Sequence, residues 1–96
     1  MMNIKASSNN VTIDGNIKSV SDFQQIKQTL DNMISSNKSI TINITDSLSM
    51  TSSVIGYLNK LVLKDNIDLQ MRVGNKQLLE LLDDLSLTSV FKARKV

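Results

Sequence analysis

The sequence predicts an α/β fold: one small domain over residues 1–96, with a mostly parallel sheet of four or five strands packed by three or four helices. Short segments with apolar residues at every second position alternate with segments of about 10 to 15 residues at helical spacing. Such alternation favours right-handed crossovers and parallel strands. The 96 residues have room for a single hydrophobic core.

Four strands are predicted from their apolar patterns. The segments 2–6 and 11–14 form a hairpin around the polar turn "SSNN". "SITINIT" at 39–45 and "IDLQMRV" at 67–73 alternate strictly. Because strands covered on both faces usually read as unbroken apolar runs, this alternation indicates unevenly distributed helices and a partly wet sheet face. The tail "SVFKARKV" is a last short strand or an extended segment.

Three helices are predicted from i, i+3, i+4 spacing. The first runs through "SVSDFQQIKQTLDNMI", with Ser19–Asp22 or Ser21–Gln24 as its capping box. The second begins at Ser52, and the third is "KQLLELLDDLSL". The apolar residues expected to face the core are Val20, Phe23, Ile26, Leu30, Met33 and Ile34, then Val54, Ile55, Leu58, Leu61 and Val62, then Leu78, Leu79, Leu82 and Leu85.

The composition argues against several classes of function. The chain has no Cys and no His, which removes disulfides, thiolate metal sites, Ser–His and Cys–His nucleophile pairs and the commonest metal ligands. The three Gly residues are scattered and form no phosphate-cradling loop. We therefore expect neither a catalytic centre nor a metal or other cofactor, and an enzyme or nucleotide binder is the least favoured class.

The charge pattern predicts neither a nucleic-acid partner nor membrane insertion. The net charge is only +2, and the C-terminal cluster of Lys92, Arg94 and Lys95 is typical of a solvated tail. Aromatic residues for stacking on bases are sparse, at 3%. No apolar run approaches the roughly 20 residues that span a bilayer, so a cytoplasmic location is expected.

The loop after the central strand is the candidate site, because ligands and partners collect at the carboxyl ends of parallel strands. Ser52 falls where the second helix begins. Its hydroxyl is expected to cap the helix by accepting a bond from a backbone N–H. The same position would also suit a phosphate, which would meet free N–H groups and the positive end of the helix dipole.

The stretch "INITDSLSMTSSVIGYL" resembles the signature of STAS domains, the bacterial family of the anti-sigma factor antagonists. "IDLQMRVGNKQLLELLDDLSLTSVF" is similar to the family's following strand, helix and terminal segment. The resemblance covers the chain in element order. It implies a non-catalytic partner-switching protein of signal transduction, in which Ser52 matches the phosphorylated hydroxyl and Ser53 the following Ser or Thr.

Other positions match or depart from the family pattern. Gly56 matches a motif glycine, and Leu87 with Phe91 matches the terminal apolar pair. Thr51 and Asn43 stand where the family has Asp. Val54 and Ser86 stand where the family has Gly.

The resemblance implies docking on a protein such as an anti-sigma factor kinase, with phosphorylation releasing it. Tyr57, the only Tyr, is expected either as a half-exposed anchor for a partner or as a ring across the core edge. Weak self-association through the wet sheet face stays open. The expected partner-binding residues are Asn43, Asp46, Ser47, Leu48, Ser49, Thr51, Ser52, Ser53, Tyr57 and Lys60.

A second role is consistent with the same resemblance. STAS-like subunits also brace the ATPase of lipid-transporting ATP-binding cassette complexes without relaying a phosphate. The absence of the family's acidic residues at 43 and 51 favours this structural role.

Overall fold

The chain alternates strands and helices in the predicted order, in a computed structural model that describes residues 2–96. The strands are β1 (Asn3–Ser7), β2 (Asn10–Asp14), β3 (Ser39–Ile44), β4 (Asp68–Val73) and β5 (Ala93–Lys95). The helices are α1 (Val20–Ile34), α2 (Ser52–Leu63) and α3 (Lys76–Asp84). The α/β class is confirmed, and the tail does form a short last strand.

The five strands form one sheet in sequential order, β1-β2-β3-β4-β5. The β1–β2 hairpin is antiparallel, and its turn places Ser8 in the left-handed region with φ of 54°. The remaining pairs are all parallel. Each parallel strand is therefore added beside its predecessor through a connection that contains one helix.

All three helices cover the same face of the sheet, because consecutive right-handed crossovers that step in one direction stay on one side. Strand residues alternate accordingly. The side chains facing the helices are buried, and they include Val11, Ile13, Ile40, Ile42, Ile44, Leu69, Met71 and Val73. Register neighbours on the other face, such as Thr41 and Gln70, are partly or fully exposed. The predicted uneven helix distribution is confirmed.

The core between sheet and helices consists mainly of Ile, Leu, Val and Met side chains. Ile26, Leu30 and Met33 from α1 and Leu78 and Leu82 from α3 are buried in it, as their spacing predicts. The largest of the fully buried side chains is Phe91, which lies just before β5.

Two apolar residues predicted for the core are instead exposed. Val20 is the first residue of α1 and is 72% exposed. Leu85 follows the last residue of α3 as its C-cap and is 48% exposed, since the chain leaves the helical path there. The α1 capping box forms at Ser19 and Asp22, the first of the two predicted alternatives.

Gly74 lies where the ends of two neighbouring strands come very close. Its N–H donates to the Ile44 carbonyl at 2.8 Å. A Cβ at this position would lie 2.1 Å from the carbonyl oxygen of Thr45, a backbone atom that cannot rotate away. Gly56 differs, because a Cβ on this exposed helical residue would meet nothing within 4 Å.

The two glycines should therefore respond in opposite ways to alanine. Gly74→Ala should lower the free energy of unfolding by about 2 kcal/mol, because β3 and β4 must separate to admit the methyl group. Gly56→Ala should raise it by about 0.5 to 1 kcal/mol, because alanine favours the helix. Urea unfolding of both variants measures this, and a Gly74→Ala protein as stable as the parent would contradict the close approach.

Candidate functional site

Two loops at the carboxyl end of the sheet are tied together by three hydrogen bonds. The N–H of Gly15 donates to the carboxylate of Asp46 at 2.7 Å. The N–H of Ile17 donates to Oγ of Ser47 at 3.1 Å. The N–H of Leu48 donates to Oδ1 of Asn16 at 2.9 Å. The loop that leads into α2 is thus fixed against the loop that leads into α1.

The predicted binding residues of this loop have different roles. Ser47 is completely buried, and its hydroxyl donates to the Ser49 carbonyl at 2.6 Å while accepting from Ile17. The prediction that Ser47 contacts a partner at the surface is therefore wrong. Asp46 is exposed, but its carboxylate holds the neighbouring loop. Leu48 and Ser49 are exposed, and the Leu48 side chain is 45% accessible.

Thr51, rather than Ser52, caps α2. Its Oγ1 accepts a bond from the N–H of Val54 at 3.3 Å, and its carbonyl accepts the N–H of Ile55 at 3.0 Å. The expectation that Ser52 supplies the cap is wrong by one residue. Ser52 and Ser53 are the first two residues of the helix, and both are exposed. No acidic residue lies in this first turn.

A small recess of about 140 Å³ separates the N-terminal ends of α1 and α2. The residues that line it are Lys18, Ser19, Val20, Phe23, Thr51 and Ser53. The exposed Val20 side chain therefore lies beside the hydroxyls of α2. Sequence reasoning missed Val20 as a surface residue because it continues the apolar stripe of α1, although its place at the first helical position was a signal that it lies beyond the core.

Tyr57 is a buried residue of α2 that packs against α1 and is hydrogen-bonded to it. The residue is 6% exposed, and its hydroxyl donates to the carboxylate of Asp31. Its ring meets Phe23 edge-on, with centroids 6.3 Å apart, and the ammonium groups of Lys27 and Lys60 lie 5.8 and 6.0 Å from its centroid. The prediction that Tyr57 is a half-exposed anchor is therefore wrong, and the alternative, a ring across the edge of the core, is confirmed.

The remaining predicted residues lie away from the α2 N-terminus. Lys60 is exposed two turns along α2 and pairs with Asp65 at 3.4 Å. Asn43 lies on the face of β3 that points away from the helices, where its amide donates to the Val11 carbonyl at 3.2 Å. The candidate site around the α2 N-terminus therefore contains Leu48, Ser49, Thr51, Ser52 and Ser53, with Val20 added. Binding through Asp46, Asn43 and Lys60 stays a prediction.

Comparison with known proteins assigns no family. No protein-family model matches the chain. No curated protein matches it either. The resemblance to STAS domains thus stands on the residues quoted above and remains a prediction.

Residues 2–96 contain neither a helix suited to crossing a membrane nor a cluster of metal-ligating side chains. No helix there combines the length and apolar character required to cross a membrane. In the same residues no three side chains of the His, Cys, Asp or Glu types are grouped as a metal ion would require.

The cap assignment predicts unequal effects for neighbouring hydroxyls. Thr51→Ala should lower the free energy of unfolding by about 1 kcal/mol, because the N–H of Val54 loses its acceptor. Ser52→Ala should change it by less than about 0.5 kcal/mol, because the exposed hydroxyl caps nothing. Denaturant unfolding of the two variants tests this, and a larger loss for Ser52→Ala would restore Ser52 as the cap.

The Tyr57–Asp31 contact predicts a loss of stability in acid. Burial of the Asp31 carboxyl raises its pKa, but hydrogen bonds from Tyr57 and Lys27 outweigh burial and hold the pKa below 3.8. A lowered pKa stabilises the fold above the unfolded-state value, and this stabilisation disappears as the pH falls through the folded-state value.

The test compares unfolding free energies between about pH 6 and pH 2. The free energy of unfolding of Asp31→Asn should fall less steeply with acidification than that of the parent, because an amide does not titrate. Tyr57→Phe should also reduce the slope, because it removes one bond that favours the carboxylate. Parallel curves for the parent and Asp31→Asn would contradict the assignment.

Proposed function

We propose that this chain is a non-catalytic regulatory module, resembling an anti-sigma factor antagonist, that binds a signalling protein of the serine-kinase or anti-sigma factor type. The docking surface comprises Val20, Leu48, Ser49, Ser52 and Ser53. A single STAS-like domain in the cytoplasm and a switch by phosphorylation of Ser52 are parts of this proposal.

The observation that carries the proposal is the pairing of exposed apolar side chains with exposed hydroxyls on a fixed loop. Val20 is 72% and Leu48 45% exposed, on the two loop–helix junctions that the hydrogen bonds from Gly15, Ile17 and Leu48 hold together. Apolar side chains rimmed by polar groups are typical of protein-binding surfaces. A rigid loop also lowers the entropy lost on binding.

The same geometry supports a phosphate switch. A phosphate on Ser52 would sit at the first turn of α2, where unpaired backbone N–H groups and the positive end of the helix dipole stabilise it. Lys18 lines the recess beside Ser53, which adds a positive charge nearby. The nearly two negative charges would lie between Thr51 and Ser53, which line the recess together with Val20, so a partner packed over that recess would be released.

A second function is favoured by one specific observation. The first turn of α2 contains no acidic residue, and Thr51 provides the cap. The acidic residue that the resemblance associates with kinase recognition is thus missing. The alternative is a structural subunit that braces the ATPase of an ATP-binding cassette lipid transporter and carries no phosphate.

Calorimetric titration tests the docking surface against two purified candidates from the same genome: a serine kinase of the anti-sigma type and a transporter ATPase. Val20→Asp and Leu48→Asp should each weaken binding to the kinase about tenfold or more, because each places a charge in the apolar contact. Leu63→Asp is the matched control, since Leu63 is 65% exposed at the far end of the same helix.

The outcomes separate the two functions. The switch is supported if Val20→Asp and Leu48→Asp weaken kinase binding, Leu63→Asp preserves it and Ser52→Asp abolishes it. Binding to the ATPase alone, unchanged by Ser52→Asp, selects the structural subunit. Incubation with the kinase and ATP followed by mass spectrometry locates the phosphate, and a parent protein that is unmodified at Ser52 and Ser53 would eliminate the switch.

A further inference from the structure

One polar row crosses the sheet on the face that no helix covers. Strand pairing places one residue from each strand side by side: Lys5 opposite Thr12, Thr12 beside Asn43, Asn43 beside Arg72, and Arg72 beside Arg94. With about 4.8 Å between neighbouring strands, this cationic row is about 19 Å long. Most of it lines one shallow depression of about 450 Å³.

The three charges of the cationic row are exposed and carry no internal counter-charge. Within residues 2–96, the ion pairs are Lys27–Asp31, Lys60–Asp65 and Lys92–Asp68, so none involves the row. The acidic side chains on the same face interact with residues outside the row. Asp68 pairs with Lys92 at 2.7 Å, and Asp14 accepts from the Thr45 hydroxyl at 2.7 Å.

The fold gives a second reason to expect a partner on this face. Parallel sheets occur almost entirely with both faces covered, whereas β2 to β5 here are covered on one face only. Thr12 and Asn43 between the charges are hydrogen-bonding side chains rather than apolar ones. The bare face therefore suits a polar, charge-complementary contact and not an apolar one.

We propose that the cationic row is a second interaction surface that binds an acidic region of a protein partner. A second copy of the chain is a poor occupant, because stacking two rows would oppose like charges. A nucleic acid would lack stacking partners, since Tyr57 and Phe91 are buried and Phe23 belongs to α1. The proposal is independent of the phosphate switch, because the row lies on the opposite face from α2.

The test is an NMR titration of the ¹⁵N-labelled chain with a Glu-rich peptide of about 20 residues at low salt, where exposed charges are least screened. Amide shifts should concentrate at Lys5, Thr12, Asn43, Arg72 and Arg94. The same peptide with Gln in place of Glu should produce none.

Charge-reversal variants make the test specific. Arg72→Glu with Arg94→Glu should weaken peptide binding about tenfold. Lys38→Glu with Lys76→Glu changes the net charge equally at exposed positions outside the row, and should leave binding intact. If the reversed row impairs folding, Arg72→Gln with Arg94→Gln replaces it, with a smaller but still selective loss.

Three results would overturn the proposal. If the control pair Lys38→Glu with Lys76→Glu lost peptide binding equally, the loss would be due to net charge and not to the cationic row. Tighter binding of an equally long oligothymidylate to the same row would assign a nucleic-acid partner instead. If sedimentation showed that the free chain dimerises and that reversing the charges of Arg72 and Arg94 abolishes the dimer, the face would be assigned to a second copy.

Discussion

The direction of the crossovers decides where the helices pack and which face of the sheet is exposed. Three right-handed connections step the same way along the sheet, so α1, α2 and α3 must all pack on one face. That single choice of topology buries alternate residues of β2, β3 and β4 and leaves the other face bare. It also brings the N-terminal ends of α1 and α2 together at one edge. Both proposed surfaces are consequences of this arrangement.

The three hydrogen bonds between the two loops give the carboxyl end of the sheet a defined surface. Asp46, Ser47 and Asn16 use their side chains to hold backbone N–H groups of the facing loop. These polar residues therefore fix the position of the facing loop, and of the three only Ser47 is buried. Leu48 and Val20 are exposed, whereas Met50 and Ile17, two and three residues away from them in the sequence, are buried in the core. A fixed loop with apolar side chains directed outwards is suited to recognising a protein.

Much of the fold could be predicted from the sequence, because alternation and helical spacing report directly on which side is buried. The strands β3 (Ser39–Ile44) and β4 (Asp68–Val73) are examples. The site was harder to predict. Thr51 and Ser52 are chemically equivalent caps, and only the backbone path decides between them. Tyr57 lies off the predicted stripe of α2, and its burial depends on Asp31, 26 residues earlier in the chain. The cationic row depends on strand register, which no local pattern encodes.

Solvent paramagnetic relaxation measures whether one sheet face is covered and the other is bare in the free chain. A soluble, uncharged gadolinium chelate accelerates relaxation of protons that it can approach. We expect strong enhancement for the side chains of Thr41, Asn43 and Gln70, and little for Ile42 and Met71, which point to the helices. Equal protection of both sets at low protein concentration would contradict this expectation, because a helix or another segment would then have to cover the second face.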